Sequence, residues 1–256
     1  MLCLAFIAVY PIKFMRIPRF FIDTTLQVDT HIDMPTPVAH YIYNVLRLEG
    51  GTPVVLFNGD GSEYSGEISE CSKRKVVIDV GAKLSIDVQS PLTTHLGQAV
   101  SKGDRMDFVL QKATELGVTH ITPILTERCA VKLNAERWAK KRIQWQKIVA
   151  SACEQSGRNT VPAVNDPVSL QHWLSLSTKE SRLIFDPNER QRLTSLPPSS
   201  AGFRLLVGPE GGLTEQEVYA AKQNGYQGIS MGPRILRTET AAIAALSALQ
   251  AIHGDL

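Results

Sequence analysis

Residues 203–218 read FRLLVGPEGGLTEQEV, and residues 229–251 read ISMGPRILRTETAAIAALSALQA. Each segment opens on a short apolar run, Leu205-Leu206-Val207 in the first and Ile229-Ser230-Met231 in the second. Each run stops at a Gly-Pro pair, Gly208-Pro209 and Gly232-Pro233, and then leads into a helical pattern. Glycine reaches backbone angles closed to other residues, and proline fixes φ while removing a donor, so both pairs mark sharp exits from a strand. Thr214 and Glu217 have capping-box spacing and start a helix. The Ala-rich run from Glu239 to Ile252 is a strong helix former with small side chains suited to close packing.

Two strand–loop–helix units in succession are expected to place two loops at the carboxyl ends of neighbouring strands, where open α/β sheets bind their ligands. A third loop joins them: Arg182-Leu183-Ile184-Phe185 is another apolar run, ended by Asp186-Pro187. Neither phosphate-cradling fingerprint, Gly-x-x-x-x-Gly-Lys-Ser/Thr or Gly-x-Gly-x-x-Gly, occurs in the chain.

Working outward, residues 15 to about 85 read as a small β-rich domain. Val54-Val55-Leu56-Phe57 precedes Asn58-Gly59-Asp60-Gly61, a hairpin signal, and Val76–Val80 is a further strand after the turn Ser72-Lys73-Arg74-Lys75. Val38, Tyr41, Ile42, Val45 and Leu46 recur at helical spacing, which predicts a helix over 38–48. From Pro91 the pattern changes to alternating strand and helix, the sign of a parallel sheet, with the boundary at 80–90. A long helix is expected from Ala135 to Gly157. Residues 132–158 hold seven basic residues against two acids, in a chain whose net charge is +2. Such a stripe can contact phosphates, and it can equally be a solvated helix face.

Composition bounds the rest. At 43% hydrophobic and 20% charged, the 256 residues describe an ordinary globular protein able to bury a full core. The four cysteines (Cys3, Cys71, Cys129, Cys153) lie far apart, and the six histidines form no ligand cluster, so no metal site is expected and a reducing cytoplasm fits. Residues 1–14 are apolar but too short to span a bilayer and lack a signal peptide's basic start. They are taken as an extension from an upstream start codon, and no membrane association is expected.

At the two loop segments the chain resembles the SPOUT class of RNA methyltransferases and, more closely, the RsmE family. The motifs that carry it are Leu206-Val207-Gly208-Pro209-Glu210-Gly211-Gly212 and the run Met231 to Ala241, MGPRILRTETA, with Met where the family usually has Leu. The resemblance runs from about Met15 to the C-terminus. It implies an α/β fold in which residues 86–256 form a trefoil-knotted, parallel-sheet methyltransferase domain, and residues 15–85 form an N-terminal PUA-like barrel that binds RNA. The implied activity is transfer of a methyl group from S-adenosylmethionine (SAM) to N3 of a uridine in 16S rRNA of the small ribosomal subunit, by a homodimer. Glu210 in the loop agrees, because a carboxylate repels a phosphate but not a cationic or zwitterionic adenosyl ligand.

The resemblance assigns the cofactor to Leu206, Val207, Gly208, Pro209, Glu210, Gly211 and Gly212 in the first loop. In the second it assigns Ser230, Met231, Gly232, Arg234, Ile235, Leu236, Arg237, Thr240 and Ala241. Arg234 and Arg237 are expected to clamp the base or a phosphate, since arginine is too weak an acid to serve as a base. Arg234 could equally bridge to Glu239. Glu154 is a candidate for orientation or proton acceptance, with helix capping or ion pairing as the alternative. RNA contacts are expected from Arg16, Arg19, Arg47, Lys102, Arg128, Lys132, Lys147 and Arg158. Two other functions fit the same residues: methylation of another RNA, tRNA or large-subunit rRNA, and a non-catalytic RNA-binding assembly factor.

Overall fold

Apolar runs separated by helical segments fold into a seven-stranded sheet in the order β12-β10-β11-β6-β7-β8, with β9 paired to β7 off that path. The strands are β6 (Thr94–Ala99), β7 (His120–Leu125), β8 (Ala163–Val164), β9 (Val168–Ser169), β10 (Ser181–Phe185), β11 (Phe203–Val207) and β12 (Gln227–Ile229). All their pairings are parallel. One register row runs Leu183, Leu205, Leu96, Ile121, Val164, all buried. The computed structural model describes residues 17–256, so the Arg16 contact and the 1–14 extension lie outside the described residues.

A sheet of buried parallel strands needs helices on both faces. Helices α2 (Asp104–Glu115), α3 (Ala135–Ser156) and α6 (Thr238–His253) cover one face. There Met106, Leu110, Trp145, Val149, Leu246 and Leu249 pack against Leu96, Leu183 and Leu205. Helices α4 (Leu170–Ser175) and α5 (Glu215–Gln223) cover the other, where Leu170, Trp173, Leu174 and Ala221 meet Ile124, Ile184 and Leu206. Adjacent residues Leu205 and Leu206 therefore enter opposite cores, as the two-residue period of a strand requires. Asn134 caps α3, accepting from the Arg137 N–H, and Gly157 ends it in the left-handed conformation.

The expectation of neighbouring strands for the two loop segments is corrected. β10 lies between β11 and β12. The Asp186-Pro187 loop after β10 therefore opens between the other two. The second apolar run also stops earlier than expected: β12 ends at Ile229, and Ser230 makes a single parallel bridge to Arg192.

The chain divides into two compact units. The sheet and its helices form one, residues 84–256 with the short pieces 21–26 and 57–63. The other takes its described residues from 17–20, 27–56 and 64–83. Its five-stranded sheet has the order β1-β3-β4-β5-β2, with β1 (Arg19–Phe21), β2 (Thr30–Asp33), β3 (Pro53–Phe57), β4 (Glu63–Cys71) and β5 (Val76–Leu84). Strands β2 and β5 pair antiparallel. Ile42, Leu56, Ile68, Val76 and Ile78 form its apolar interior. Ser72 closes the β4–β5 turn, its N–H donating to the Lys75 carbonyl at 2.8 Å. The helix predicted over 38–48 begins two residues earlier as α1 (Thr36–His40), then widens into a π-helical turn over Tyr41–Leu46 and ends on Arg47, whose φ is 53°. Among the described residues no helix is long and apolar enough to cross a membrane.

Candidate active site

Because the strands run parallel, the loops that follow β6, β7, β10, β11 and β12 leave from the same edge of the sheet. The loop after β11 turns at once: the Gly212 N–H donates to the Pro209 carbonyl at 2.9 Å, and Gly212 takes a φ of +69°. A Cβ on Gly208 would lie 3.1 Å from Leu213 Cγ, so the chain is packed tightly where it leaves the strand. Thr214 then caps α5, and the capping box is complete: the Thr214 hydroxyl accepts from the Glu217 N–H, and the Glu217 carboxylate accepts from the Thr214 N–H. The other Glu217 oxygen accepts from the Glu127 N–H at 2.8 Å, tying in the loop after β7.

The second loop, 230–237, is anchored at both ends. The Ser230 N–H donates to the Gln191 carbonyl at 2.7 Å, and α6 begins at Thr238. Thr238 is buried; its hydroxyl donates to the Gly208 carbonyl at 2.6 Å and accepts from the Gln98 side-chain amide at 2.9 Å. Gln98 is wholly buried on β6. A three-membered polar chain thus fixes the start of α6 against the exit of β11.

Between the loops lies a cavity of about 780 Å³. Val207, Gly208, Pro209, Glu210, Gly211, Gly212, Ile235, Leu236, Arg237 and Ala241 line it, all expected from the sequence. A smaller adjoining space of about 80 Å³ is lined by Met231, Gly232, Arg234, Ile235, Leu236 and Ala241. Leu206, Ser230 and Thr240 line neither space: Leu206 is wholly buried in the sheet, and Thr240 is exposed on α6.

Arg105, Asn188, Tyr219 and Lys222 line the cavity without having been expected, whereas Thr238 and Glu239 lie in the expected run Arg237 to Ala241 and Asp186-Pro187 is the third loop. The turn Asp186-Pro187-Asn188 after β10 and Tyr219 and Lys222 of α5 form one wall. Arg105, Thr238 and Glu239 complete another. Arg105 is the second residue of α2, in the segment that follows β6, and that position past the carboxyl end of a strand was the available signal. Its guanidinium donates to Glu210 Oε1 at 2.7 Å, and the Lys102 N–H reaches the same oxygen at 3.1 Å. Burial raises the Glu210 carboxyl, but hydrogen bonds from its own backbone, from Arg105 and from Lys102 outweigh it and hold the group below its ordinary value. Arg128 donates to the Gly211 carbonyl at 2.8 Å, so this expected RNA contact has a second role in bracing the loop.

Three further readings are corrected. Glu154 does not line the cavity, and its carboxylate accepts the Phe21 main-chain N–H at 2.9 Å. Arg158 is buried, and its guanidinium donates to the carbonyls of Thr114 and Val118, both at 2.9 Å, and to Gln89 Oε1. Its donors satisfy the end of α2, which removes it from RNA contact. Arg234 is not bridged to Glu239 either: the base nearest that acid is Arg105, with Nε 4.0 Å away. Lys102, Lys132 and Lys147 are exposed near this edge and on α3, Arg47 is exposed in the smaller unit, and Arg19 is half-buried on β1. No group of metal-ligating side chains occurs among the described residues.

The fold and cavity can be set beside known proteins. A family model described as an RNA methyltransferase domain matches residues 88–250, and one described as an RNA methyltransferase PUA domain matches residues 35–81. The chain is similar to "Ribosomal RNA small subunit methyltransferase E" of Buchnera aphidicola subsp. Schizaphis graminum, 38% identical over 242 residues, covering 94% of this chain and 98% of that one. The protein of that name from Bacillus subtilis is 34% identical, covering 93% and 99%. Among solved structures, a ribosomal RNA small subunit methyltransferase E from Neisseria gonorrhoeae, bound to S-adenosyl methionine, superposes with a TM-score of 0.87 at 40% identity over 94% of this chain and 99% of that one. A Legionella pneumophila structure in complex with SAM gives a TM-score of 0.91 at 40% identity, covering 94% and 100%. With this architecture, these loops and relatives matched nearly end to end, the chain belongs to the ribosomal RNA small subunit methyltransferase E family.

Proposed function

We propose that this chain methylates N3 of a uridine in 16S rRNA of the small ribosomal subunit, with SAM as donor. The observation that carries the reading is the open cavity of about 780 Å³ between two loops that the Thr238–Gly208 hydrogen bond holds together. Its size is within the ~300–1,000 Å³ of small-molecule sites. The walls fit an adenosyl ligand: apolar Val207, Ile235 and Leu236 suit a base, while Gly208, Gly211 and Gly212 leave backbone groups approachable. Glu210 and Glu239 suit a cationic group rather than a phosphate. When bound, SAM supplies an electrophilic methyl group on a sulfonium.

The chain's own residues supply placement and charge. Arg237 lines the larger space and Arg234 the smaller, both exposed at the opening. Their guanidinium groups carry donors and no acceptor. They are suited to hold the uracil oxygens as negative charge develops after loss of the imide proton. A uridine within structured RNA must first leave its stack. Exposed Lys102, Arg128, Lys132 and Lys147, with Arg47 in the smaller unit, supply phosphate contacts that position the strand.

The same reading places the enzyme in the cytoplasm and takes it as a homodimer. The apolar face of α6 is occupied within the chain, since Ala242, Ala245, Leu246 and Leu249 are buried, and is not free to form a dimer. A partner would instead meet Ile243, Ala244, Ser247 and Ile252, which are half-buried or exposed.

The test is methyl transfer to 30S subunits from a strain lacking the endogenous enzyme, read by mass spectrometry of 16S rRNA. One new N3-methyluridine supports the reading. Modification of tRNA or 23S rRNA instead, or of nothing, overturns it.

A further inference from the structure

Arg105 belongs to neither loop motif, yet it meets an acid from each. Glu210 sits in the loop after β11 and accepts from Arg105 Nη1 at 2.7 Å. Glu239 sits in the first turn of α6, directly after the second loop, and its Oε1 is 4.0 Å from Arg105 Nε. All three side chains line the one cavity. The second Glu239 oxygen is buried without a hydrogen-bond partner. Two carboxylates facing one space repel each other and push their loops apart. A guanidinium between them reverses the sign of that interaction, and its planar fork can address both acids from one position, which a point-charge ammonium does less well.

We infer that Arg105 is a positioning residue that ties the two loops together through Glu210 and Glu239, so that the cavity is preformed before its ligand arrives. The tie joins segments far apart in sequence: Arg105 to Glu210 spans 105 residues. It adds to the Thr238–Gly208 bond a second link between the same segments, from Glu239 next to Thr238 and from Glu210 two residues beyond Gly208. A preformed site lowers the ordering cost of binding, so the tie acts on ligand affinity. The inference rests on the cofactor reading of the cavity.

Two measurements test it separately. In ligand-free protein, hydrogen exchange of amides 208–213 and 236–241 is expected to quicken by about tenfold or more in Arg105→Ala, with the α3 amides unchanged. By calorimetry the same variant is expected to bind SAM about tenfold more weakly, Arg105→Lys is expected to recover part of the loss, and Arg105→Ala combined with Glu210→Gln is expected to lose little beyond either alone. A residue that merely stabilises the fold would lower the thermal midpoint without this pattern. Wild-type exchange in both loops together with wild-type SAM affinity overturns the inference. If the wild-type chain itself binds no SAM, the cofactor reading fails, and the exchange measurement still decides the tie. Should Arg105→Ala not fold, Glu210→Gln alone is put through the same two measurements and judged by the same outcomes.

Discussion

Thr238 donates its hydroxyl to the Gly208 carbonyl at 2.6 Å, across 30 residues of chain. The bond closes a circuit: Gly208 directly follows β11, Thr238 begins α6, and Gln98 on β6 donates to the same hydroxyl. Thr238→Val keeps the shape but takes the hydroxyl donor from the part-buried Gly208 carbonyl and one of two acceptors from the buried Gln98 amide, which keeps the Ala99 carbonyl. Each such loss costs about 1–3 kcal/mol. Urea unfolding of Thr238→Val is expected to show a loss of about 2 kcal/mol or more, with weakened SAM binding. Unchanged stability and affinity would mean that the circuit does not hold the loops.

Arg158 separates a basic residue that serves the fold from one that serves RNA. Burial lowers its pKa, yet its guanidinium makes four hydrogen bonds, to Thr114, Val118 and, twice, Gln89. Arg158→Met is expected to cost about 3 kcal/mol, because it strands several buried acceptors. Lys147→Ala, on the exposed side of α3, is expected to leave stability within about 0.5 kcal/mol while reducing the salt dependence of RNA binding. Denaturant midpoints and salt titrations of both variants check this; a stable, RNA-defective Arg158→Met would restore it as an RNA contact.

His95 gives the fold an acid-sensitive window. Burial, then the charge of Arg204 and the nearness of His120, lower its pKa to about 3. Its Nε2 pairs with the Thr122 hydroxyl at 2.8 Å, and its ring packs edge-on against Trp173. The unfolded chain takes up this proton near pH 6.5, while the folded chain refuses it down to about pH 3. Stability from this group is therefore complete above about pH 6.5 and is lost as pH falls, by up to about 1.4 kcal/mol per unit. Urea midpoints from pH 7.5 to 5 are expected to show that slope in the wild-type chain and a shallower one in His95→Gln. Equal slopes would contradict the assignment.

Two glycines with positive φ are expected to respond differently. Gly202 has a φ of +83°, and a Cβ there would lie 2.0 Å from the Thr93 carbonyl oxygen. Gly212 has a φ of +69° with open space around its Cβ position. Gly202→Ala combines strain with a backbone clash and is expected to cost at least about 2 kcal/mol or to prevent folding. Gly212→Ala carries strain alone, about 1 kcal/mol, in a loop that lines the cavity. Soluble yield and thermal midpoints distinguish them, and a Gly202→Ala protein as stable as Gly212→Ala would contradict the geometry.

Much of this was legible where the signal is local. Thr214 and Glu217 announce a capping box because both partners lie within one turn of helix, and the structure contains it. The alternation of apolar runs with helical spacing gave the parallel sheet for the same reason. Strand order was less accessible: nothing in β11 or β12 alone encodes that β10 lies between them. The π-helical turn at Tyr41–Leu46 was read as ordinary helix, since both patterns place Ile42 inside. Glu154 and Arg158 looked available for chemistry because their partners, Phe21, Gln89 and Thr114, are distant in sequence. Arg105 was overlooked for that reason too. Charged side chains show their type in a sequence, but the groups they meet are decided by the fold.

The central claim is that the cavity between residues 208–212 and 230–237 holds an adenosyl sulfonium donor. Calorimetric titration of SAM into the purified chain tests it most directly, with ATP and NAD as comparison ligands. Saturable binding at one SAM per chain and no binding of ATP or NAD are predicted, since the chain carries neither phosphate-cradling fingerprint. No heat with SAM, or saturable binding of ATP in its place, would contradict it.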